Sequence, residues 1–173
     1  IAADYVAKSN PDGNTLLVTF TSFSINATLY RNLPFDPVAD FTPISMLANV
    51  PSVLVVRKDF PARTMPEFVT LVKASPGKYT MALGAIGSSL HMAGERMKMM
   101  AGLDILNVPY KGTAPAITDL LGGQVDMMFA SSLNALPHMK SGALRALGVS
   151  SPKPLPQFPG VPPIGDTITG FES

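Results

Sequence analysis

Residues 84–89, with the sequence GAIGSS, contain the residue types that most often bind a small anion. The two glycines let the backbone approach a ligand closely, and the serines add hydroxyl donors. A helix is predicted to follow, and a helix N-terminus offers backbone N–H groups and the positive end of the helix dipole. Residues 84–89 therefore predict a carboxylate or phosphate site. An ordinary strand-to-helix turn capped by a serine has the same features and stays open as an alternative.

Two charged or titratable side chains accompany this segment. His91 falls on the first turn of the predicted helix, where its imidazole can hydrogen-bond an anion, act as a base or be satisfied by local backbone. Lys111 follows another predicted strand, so it can neutralise an anion or be a solvated loop lysine. Both side chains are candidates for the same anion site.

The patterns of several enzyme and metal classes are missing from the sequence. Residues 84–89 lack the Gly-Lys-Ser/Thr ending of a P-loop and the third glycine of a dinucleotide fingerprint. Cysteine is absent, only two histidines occur, and neither a Gly-x-Ser-x-Gly elbow nor an HExxH motif is found. We therefore expect no catalytic residue, no metal site and no cofactor.

The composition of the chain excludes further functions. Its 173 residues include 13 Lys plus Arg and 12 Asp plus Glu, a net charge of +1 that argues against nucleic-acid binding. Charged residues make up 14%, below the roughly 25% of average soluble domains, and hydrophobic residues 46%. The longest uncharged stretch, residues 13–30, is interrupted by Thr, Ser and Asn, so no membrane span is expected.

The middle of the chain alternates short apolar runs with helical segments. A capping box at Thr64 and Glu67 opens one predicted helix. The runs lack strict polar alternation, which is typical of strands buried on both faces. The pattern predicts an α/β fold with a mostly parallel sheet and four helices between the strands. Its five predicted strands are residues 52–57, 79–83, 104–108, 125–129 and 144–150.

The two flanking regions do not show this regular alternation of strands and helices. Residues 1–8 are predicted as the end of a helix, 15–21 and 44–50 as strands, and 24–30 as a short helix. Six prolines in residues 151–163 predict a rigid, extended connection. We therefore divide the chain into residues 1–50, a partial first lobe, residues 51–150, an α/β ligand-binding second lobe, and residues 151–173, a proline-rich return connection toward the first lobe.

Several long motifs resemble one family. They are VAKSNPDGNTLLVTF (6–20), LPFDPVADFTPIS (33–45), LHMAGERMKMMAGLDI (90–105), VPYKGTAPAITDLLGGQVDMMF (108–129) and ALPHMKSGALRALGVSS (135–151). With these motifs the chain resembles the Bug family of periplasmic solute-binding proteins, the receptors of tripartite tricarboxylate transporters. The resemblance implies a type II periplasmic-binding fold of two lobes that closes on a small carboxylate. Members of the family are about twice this long, so we expect a fragment that lacks the other half of the carboxylate site.

The resemblance also implies site residues. In the second lobe, Gly87, Ser88 and His91 match the family's carboxylate-binding turn, whereas Leu83 and Ala85 depart from it. Ala130 and Ser131 stand where many members carry Asp-Asn, so we expect a carboxylate ligand without an amino group. The full set of predicted ligand-binding residues is Thr21, Ser22, Gly84, Ala85, Gly87, Ser88, Ser89, His91, Lys111, Ala130 and Ser131.

Two functional hypotheses compete. The first is an extracytoplasmic, periplasmic receptor, not itself membrane-spanning, that captures a di- or tricarboxylate and delivers it to membrane transporter subunits. The second is an enzyme that acts on a phosphorylated or carboxylated metabolite through residues 84–89 and His91. The predicted strand ends carry no acid–base pair, which favours the receptor. Docking of the same lobe to a sensor is a third possibility.

Overall fold

The computed structural model describes residues 2–173, so Ile1 of the predicted first helix lies outside the described part. The chain divides into two compact units. The first contains the chain up to Asn49 together with Gly87–Ser89, and the second contains Val50–Ile86 and Leu90–Ser173.

The first unit holds two short helices and an aromatic cluster. Helix α1 is Ala2–Ala7 and helix α2 is Ser22–Leu29. The ring of Phe23, on α2, lies 5.9 Å from that of Phe35 and 5.0 Å from that of Phe41. Ring centroids at these separations pack favourably and give this unit a small apolar centre.

The two strands predicted in the first unit are wrong. Residues 15–20 and 44–50 have no regular secondary structure. Leu16, Val18 and Phe20 are 63%, 74% and 81% exposed. A strand forms only when a neighbouring strand accepts its backbone hydrogen bonds. Within the described residues, neither segment pairs with such a neighbour, so β propensity alone does not make them strands.

A five-stranded sheet forms the centre of the second unit, in the order β3-β2-β4-β1-β5. Its strands and helices alternate along the chain as predicted. The strands are β1 (Ser52–Arg57), β2 (Thr80–Leu83), β3 (Leu106–Pro109), β4 (Met127–Ser131) and β5 (Leu144–Val149). The helices between them are α3 (Met65–Lys73), α4 (Ser89–Ala101), α5 (Thr113–Leu121) and α6 (Ser132–Lys140).

The sheet is mostly parallel, as predicted, with one reversed strand. Strand β2 pairs in parallel with both β3 and β4. Strand β1 lies between β4 and β5 and is antiparallel to both. Four strands therefore run in one direction, and their carboxyl ends share one edge of the sheet.

Alternate residues of the central strands enter two different cores. Leu54 and Val56 of β1 join the cluster that contains Phe68, Met97 and Phe129. Val53 and Val55 join the opposite cluster with Ala116 and Leu120. The expectation that every strand is buried on both faces fails for β3, because β3 is an edge strand with one neighbour and its Leu106 is 53% exposed.

Several predicted boundaries shift because pairing, and not the apolar run, sets them. Strand β4 begins at Met127, which pairs with Met81, instead of at residue 125. Strand β3 begins at Leu106, opposite Thr80, instead of at residue 104. Helix α5 begins at Thr113, a residue type typical of helix caps. Gly112, at φ 123°, precedes the helix and provides no side-chain cap.

The capping motif at α3 is confirmed with a modified geometry. The Oγ1 atom of Thr64 accepts a hydrogen bond from the backbone N–H of Glu67 at 3.3 Å. The Glu67 carboxylate reaches back to the N–H of Arg63, at 2.7 Å, one residue before the cap. Both ends of the motif therefore satisfy backbone donors at the start of the helix.

The proline-rich segment is not extended as predicted. Residues 151–173 form successive turns and a short 3₁₀ helix, Ile164–Asp166. Phe158 is buried in one core cluster, and Ile164 and Phe171 in the other. These apolar residues, one between the prolines and two after them, hold the segment on the second unit. Its role as a return connection stays a prediction.

Candidate functional site

Three of the predicted site segments lie at the carboxyl ends of adjacent strands. Residues 84–86, the part of the 84–89 loop that belongs to the second unit, follow β2, Lys111 follows β3, and Ser131 ends β4. Since β3, β2 and β4 are neighbours and parallel, these ends meet at one edge of the second unit's sheet. Ligands of open α/β sheets bind at such an edge.

The start of the 84–89 loop is fixed against the loop that follows β3. The carbonyl of Leu83 accepts from the N–H of Tyr110, and that of Gly84 accepts from the N–H of Gly112, both at 2.8 Å. These two bonds extend the β2–β3 pairing beyond the strands. Gly84 therefore holds a defined position, while Ala85 is exposed.

The end of the loop leads directly into helix α4. Gly87 adopts a φ of +78°, a left-handed conformation that favours glycine. Ser88 is partly buried, and Ser89 is the first residue of α4. The first turn of this 13-residue helix contains no acidic residue that would compete with an anion. The loop thus places hydroxyl groups at the positive end of a long helix dipole.

His91 lies on the first turn of α4 and contacts a carboxylate. Its Nε2 is 3.7 Å from Oε1 of Glu95, and its side chain is 14% exposed. Oε1 of Glu95 also lies 2.7 Å from Nζ of Lys98 and from Nδ2 of Asn107. Burial would raise the pKa of Glu95, but the hydrogen bonds from Lys98 and Asn107 and the charges of Lys98 and His91 outweigh it, so this pKa is lowered.

Lys111 is exposed between two residues with structural roles. The hydroxyl of Tyr110 donates to Oδ2 of Asp119 on α5 at 2.7 Å. Partial burial raises the pKa of Tyr110, and the hydrogen bond to Asp119 and its charge raise it further. Gly112 provides the turn into α5. The Tyr-Lys-Gly motif therefore anchors the loop, and Lys111 is its one charged side chain.

Ala130 and Ser131 are placed differently from the loop residues. Ala130 is 1% exposed and packs with Val53 in the core, so in this unit it presents no surface to a ligand. Oγ of Ser131 accepts from the N–H of Asn134 at 3.3 Å and caps α6. Ser131 is partly buried. The ligand-binding roles of Ala130 and Ser131 stay predictions.

Thr21 and Ser22 belong to the first unit. Thr21 is exposed and immediately precedes α2, which begins at Ser22. The side chain of Thr21 makes no capping hydrogen bond to α2. The ligand-binding roles of Thr21 and Ser22 stay predictions.

Comparison with known proteins identifies the family. Residues 1–173 match the sequence model of TctC, the tripartite tricarboxylate transporter family receptor. The chain belongs to this family. A relative from Pseudomonas sp. strain P51, the UPF0065 protein in the tcbD-tcbE intergenic region, is 36% identical over 174 residues, 99% of this chain and 52% of the relative. BugT from Bordetella pertussis is 36% identical over 168 residues, 96% of this chain and 52% of its own length.

Solved structures share the fold. Periplasmic binding protein BugD superposes with a TM-score of 0.87 at 35% identity, covering 99% of this chain and 57% of BugD. R. palustris Rpa4515, solved with adipate, superposes with a TM-score of 0.87 at 34% identity, covering 99% of this chain and 58% of Rpa4515. MatC from Rhodopseudomonas palustris, with bound malate, superposes with a TM-score of 0.80 at 28% identity, covering 99% of this chain and 59% of MatC. The predicted periplasmic-binding fold is confirmed, and the chain spans about half the length of the curated relatives it matches.

The end of the motif at residues 108–129 has a structural role. Asp126, in its GGQVD sequence, accepts from Nε of Arg57 at 3.1 Å and from the N–H of Thr80 at 2.9 Å. These residues lie at the opposite edge of the sheet, where β2 and β4 begin and β1 ends. Asp126 thus joins three strands.

Glu95 is the residue of this region that the sequence reasoning missed. Its spacing of four residues from His91 places the two side chains on one helix face and is visible in the sequence. Its contact with Asn107 of β3 is not visible, because it depends on how β3 pairs with β2.

Neither a metal site nor a membrane span is found in residues 2–173. No group of three or more His, Cys, Asp or Glu side chains in this part of the chain is arranged to hold a metal ion. None of its helices is long and apolar enough to cross a membrane.

Proposed function

We propose that this protein is an extracytoplasmic solute-binding receptor that captures a small di- or tricarboxylate for a tripartite tricarboxylate-type transporter. The observation that carries the proposal is membership of the TctC receptor family over the whole chain. Two neighbours that superpose over 99% of the chain were solved with adipate and with malate, both dicarboxylates. The chain's own loop at residues 84–89 has the composition that an anion of this kind needs.

Capture would use neutral donors. Backbone N–H groups at a helix N-terminus and the hydroxyls of Ser88 and Ser89 stabilise a carboxylate without a full counter-charge. Gly84 and Gly87 allow close backbone approach. His91 adds an imidazole donor on the first turn, and Lys111 adds a positive charge at the neighbouring strand end. Binding of this type holds the ligand and releases it unchanged.

The receptor role needs no catalytic residue and no cofactor, because a receptor holds its ligand and releases it unchanged. His91 lies beside the carboxylate of Glu95, which also accepts from Lys98 and Asn107. Such a pair could also serve a general base, so recovery of the ligand unchanged decides between a receptor and an enzyme.

The cellular setting follows from the same relatives. The neighbours named as a periplasmic binding protein and a periplasmic transporter support a periplasmic location. The family description supports membrane transporter subunits as partners. Both assignments belong to the proposal.

Isothermal titration calorimetry on the purified full-length gene product tests the proposal, with adipate and malate as probes. We expect saturable binding of at least one of them, which Ser88→Ala weakens about fivefold through loss of one hydroxyl donor. Ser75→Ala, the same change before the amino end of β2, should leave the affinity unaltered. Proton NMR of the recovered ligand should show it unchanged. Absence of binding to both probes, or their chemical conversion, would contradict the proposal.

A further inference from the structure

The hydroxyl of Tyr110 fastens the loop after β3 to helix α5. It donates to Oδ2 of Asp119 at 2.7 Å, and both side chains are partly buried. A hydrogen bond to a carboxylate is stronger than one between neutral groups. Asp119 belongs to a helix whose Ala116 and Leu120 are fully buried in a core cluster, so the acceptor is held by a fixed element.

The backbone of the same loop is held from another direction. The N–H of Tyr110 donates to the carbonyl of Leu83, and the N–H of Gly112 donates to that of Gly84, both at 2.8 Å. These two bonds lie on either side of Lys111 and continue the pairing of β3 with β2. They fix the loop along the sheet, while the Tyr110 hydroxyl fixes it to the helix layer that covers the sheet.

Lys111 is the charged side chain that this loop presents. It is exposed, and among the residues that the structure describes it forms no ion pair. Its charge is therefore available to an incoming anion. Because the lysine stem is flexible, the backbone of the loop decides which volume the ammonium group reaches. A fixed loop lowers the cost of bringing that group to a ligand.

We propose that Tyr110 and Asp119 are positioning residues for carboxylate capture, because their hydrogen bond holds the loop that presents Lys111 at the carboxyl end of β3. This role rests on the proposed function, in which Lys111 supplies a positive charge to the ligand. Tyr110 acts through Lys111, and Asp119 acts through Tyr110. Neither of the two contacts the ligand.

A double-mutant cycle in the full-length gene product tests this role, with calorimetry of adipate and malate as the measurement. Tyr110→Phe removes only the hydroxyl, and Lys111→Met removes the charge but keeps most of the stem. We expect Tyr110→Phe to weaken binding about threefold and Lys111→Met about fivefold. Because Tyr110 acts through Lys111, the double variant should bind no more weakly than Lys111→Met alone.

A hydroxyl with a merely structural role would give a different result. Its loss would weaken binding independently of Lys111, so the two effects would multiply to about fifteenfold. Tyr5→Phe makes the same chemical change at a side chain that is 70% exposed, and it should leave the affinity unaltered.

Asp119→Ala removes the same hydrogen bond from its acceptor side. It should weaken binding even though it removes a negative charge, which by itself would favour an anion. If Tyr110→Phe fails to fold, unaltered or tighter binding in Asp119→Ala contradicts the proposal.

Hydrogen exchange of the Gly112 amide separates this role from the receptor function, because it needs no ligand. We expect faster exchange in Tyr110→Phe than in the unsubstituted protein. Unaltered exchange, unaltered affinity in Tyr110→Phe, or effects that multiply in the double variant would overturn the positioning role. If the unsubstituted protein binds neither probe, the proposed function fails, while exchange at Gly112 still decides whether Tyr110 holds the loop.

Discussion

Gly84 and Thr113 are in contact where the loops after β2 and β3 meet. A Cβ atom added to Gly84 would lie 3.0 Å from Oγ1, 3.2 Å from Cα and 3.3 Å from N of Thr113. Two of these atoms belong to the backbone at the start of α5, which cannot rotate away. Any side chain at position 84 would therefore push against the start of α5, whatever ligand the loop binds.

Gly84→Ala should move this loop and weaken the fold. Overpacking of this degree costs about 1–2 kcal/mol of the free energy of unfolding. Urea denaturation measures this loss, and calorimetry with adipate or malate should show weaker binding as the loop shifts.

Gly122→Ala is the matched control for that substitution. An added Cβ there would lie 3.4 Å from its nearest contact, the carbonyl of Thr118, and Gly122 has an ordinary φ of −77°. We expect its stability to stay within about 0.5 kcal/mol of the unsubstituted protein, since its backbone needs no glycine. Equal effects of the two substitutions would disprove the close-contact explanation.

Tyr110→Phe should lower stability in a pH-dependent way. It removes the hydrogen bond to Asp119, at a cost of about 1 kcal/mol. The folded pKa of Tyr110 lies above its ordinary value of 10.0. The contribution of Tyr110 to the free energy of unfolding is therefore complete below about pH 10. It is lost as the pH rises through the pKa of Tyr110 in the folded protein.

Urea denaturation at about pH 8 and about pH 11 tests the direction of this pH dependence. The stability difference between the unsubstituted protein and Tyr110→Phe should be larger at the lower pH. Tyr5→Phe removes a hydroxyl from a residue that is 70% exposed and should show no such trend. A difference that grows with pH would refute the assignment.

Asp126→Asn should destabilise the sheet and leave ligand capture intact. Asp126 accepts from Arg57 and Thr80, and its side chain is 17% exposed. Removing this charge leaves the partly buried Arg57 without one of its partners, at a cost of about 2 kcal/mol. Urea denaturation and calorimetry with the same probes measure the two properties separately.

Asp59→Asn provides the comparison, because Asp59 is the other carboxylate that contacts Arg57, at 2.5 Å. Its side chain is 67% exposed, and an exposed pair contributes little, so we expect a much smaller loss of stability than in Asp126→Asn. Loss of binding in Asp126→Asn at temperatures where it is folded would contradict a purely structural role.

Carboxylates without an amino group should bind more tightly than amino acids. The loops after β2, β3 and β4 contain no Asp or Glu from residue 84 to 89, 110 to 113 or 130 to 132. A ligand ammonium brought there would lose its hydration without gaining a counter-charge. Calorimetry should therefore show succinate ahead of aspartate, and the reverse order would refute the prediction.

Local signals in the sequence were sufficient for the alternation of strands and helices in the second unit. These signals are short apolar runs, a capping threonine at position 64 and glycine turns. Each depends on a few consecutive residues, so it can be recognised in the sequence before the fold is known. The same local chemistry predicts an anion-binding loop at residues 84–89, because glycines, serines and a following helix are consecutive in the chain; its binding role stays a prediction.

Contacts between residues far apart in the sequence decided the strand directions, the strand boundaries and the partners of individual side chains. The reversed direction of β1, the exposure of β3 and the starts of β3 and β4 depend on which strands pair. Residues 15–20 show the limit of β propensity, since an apolar run becomes a strand only beside a partner. Glu95 and Asp126 likewise bind Asn107 and Arg57, which only the sheet brings near them.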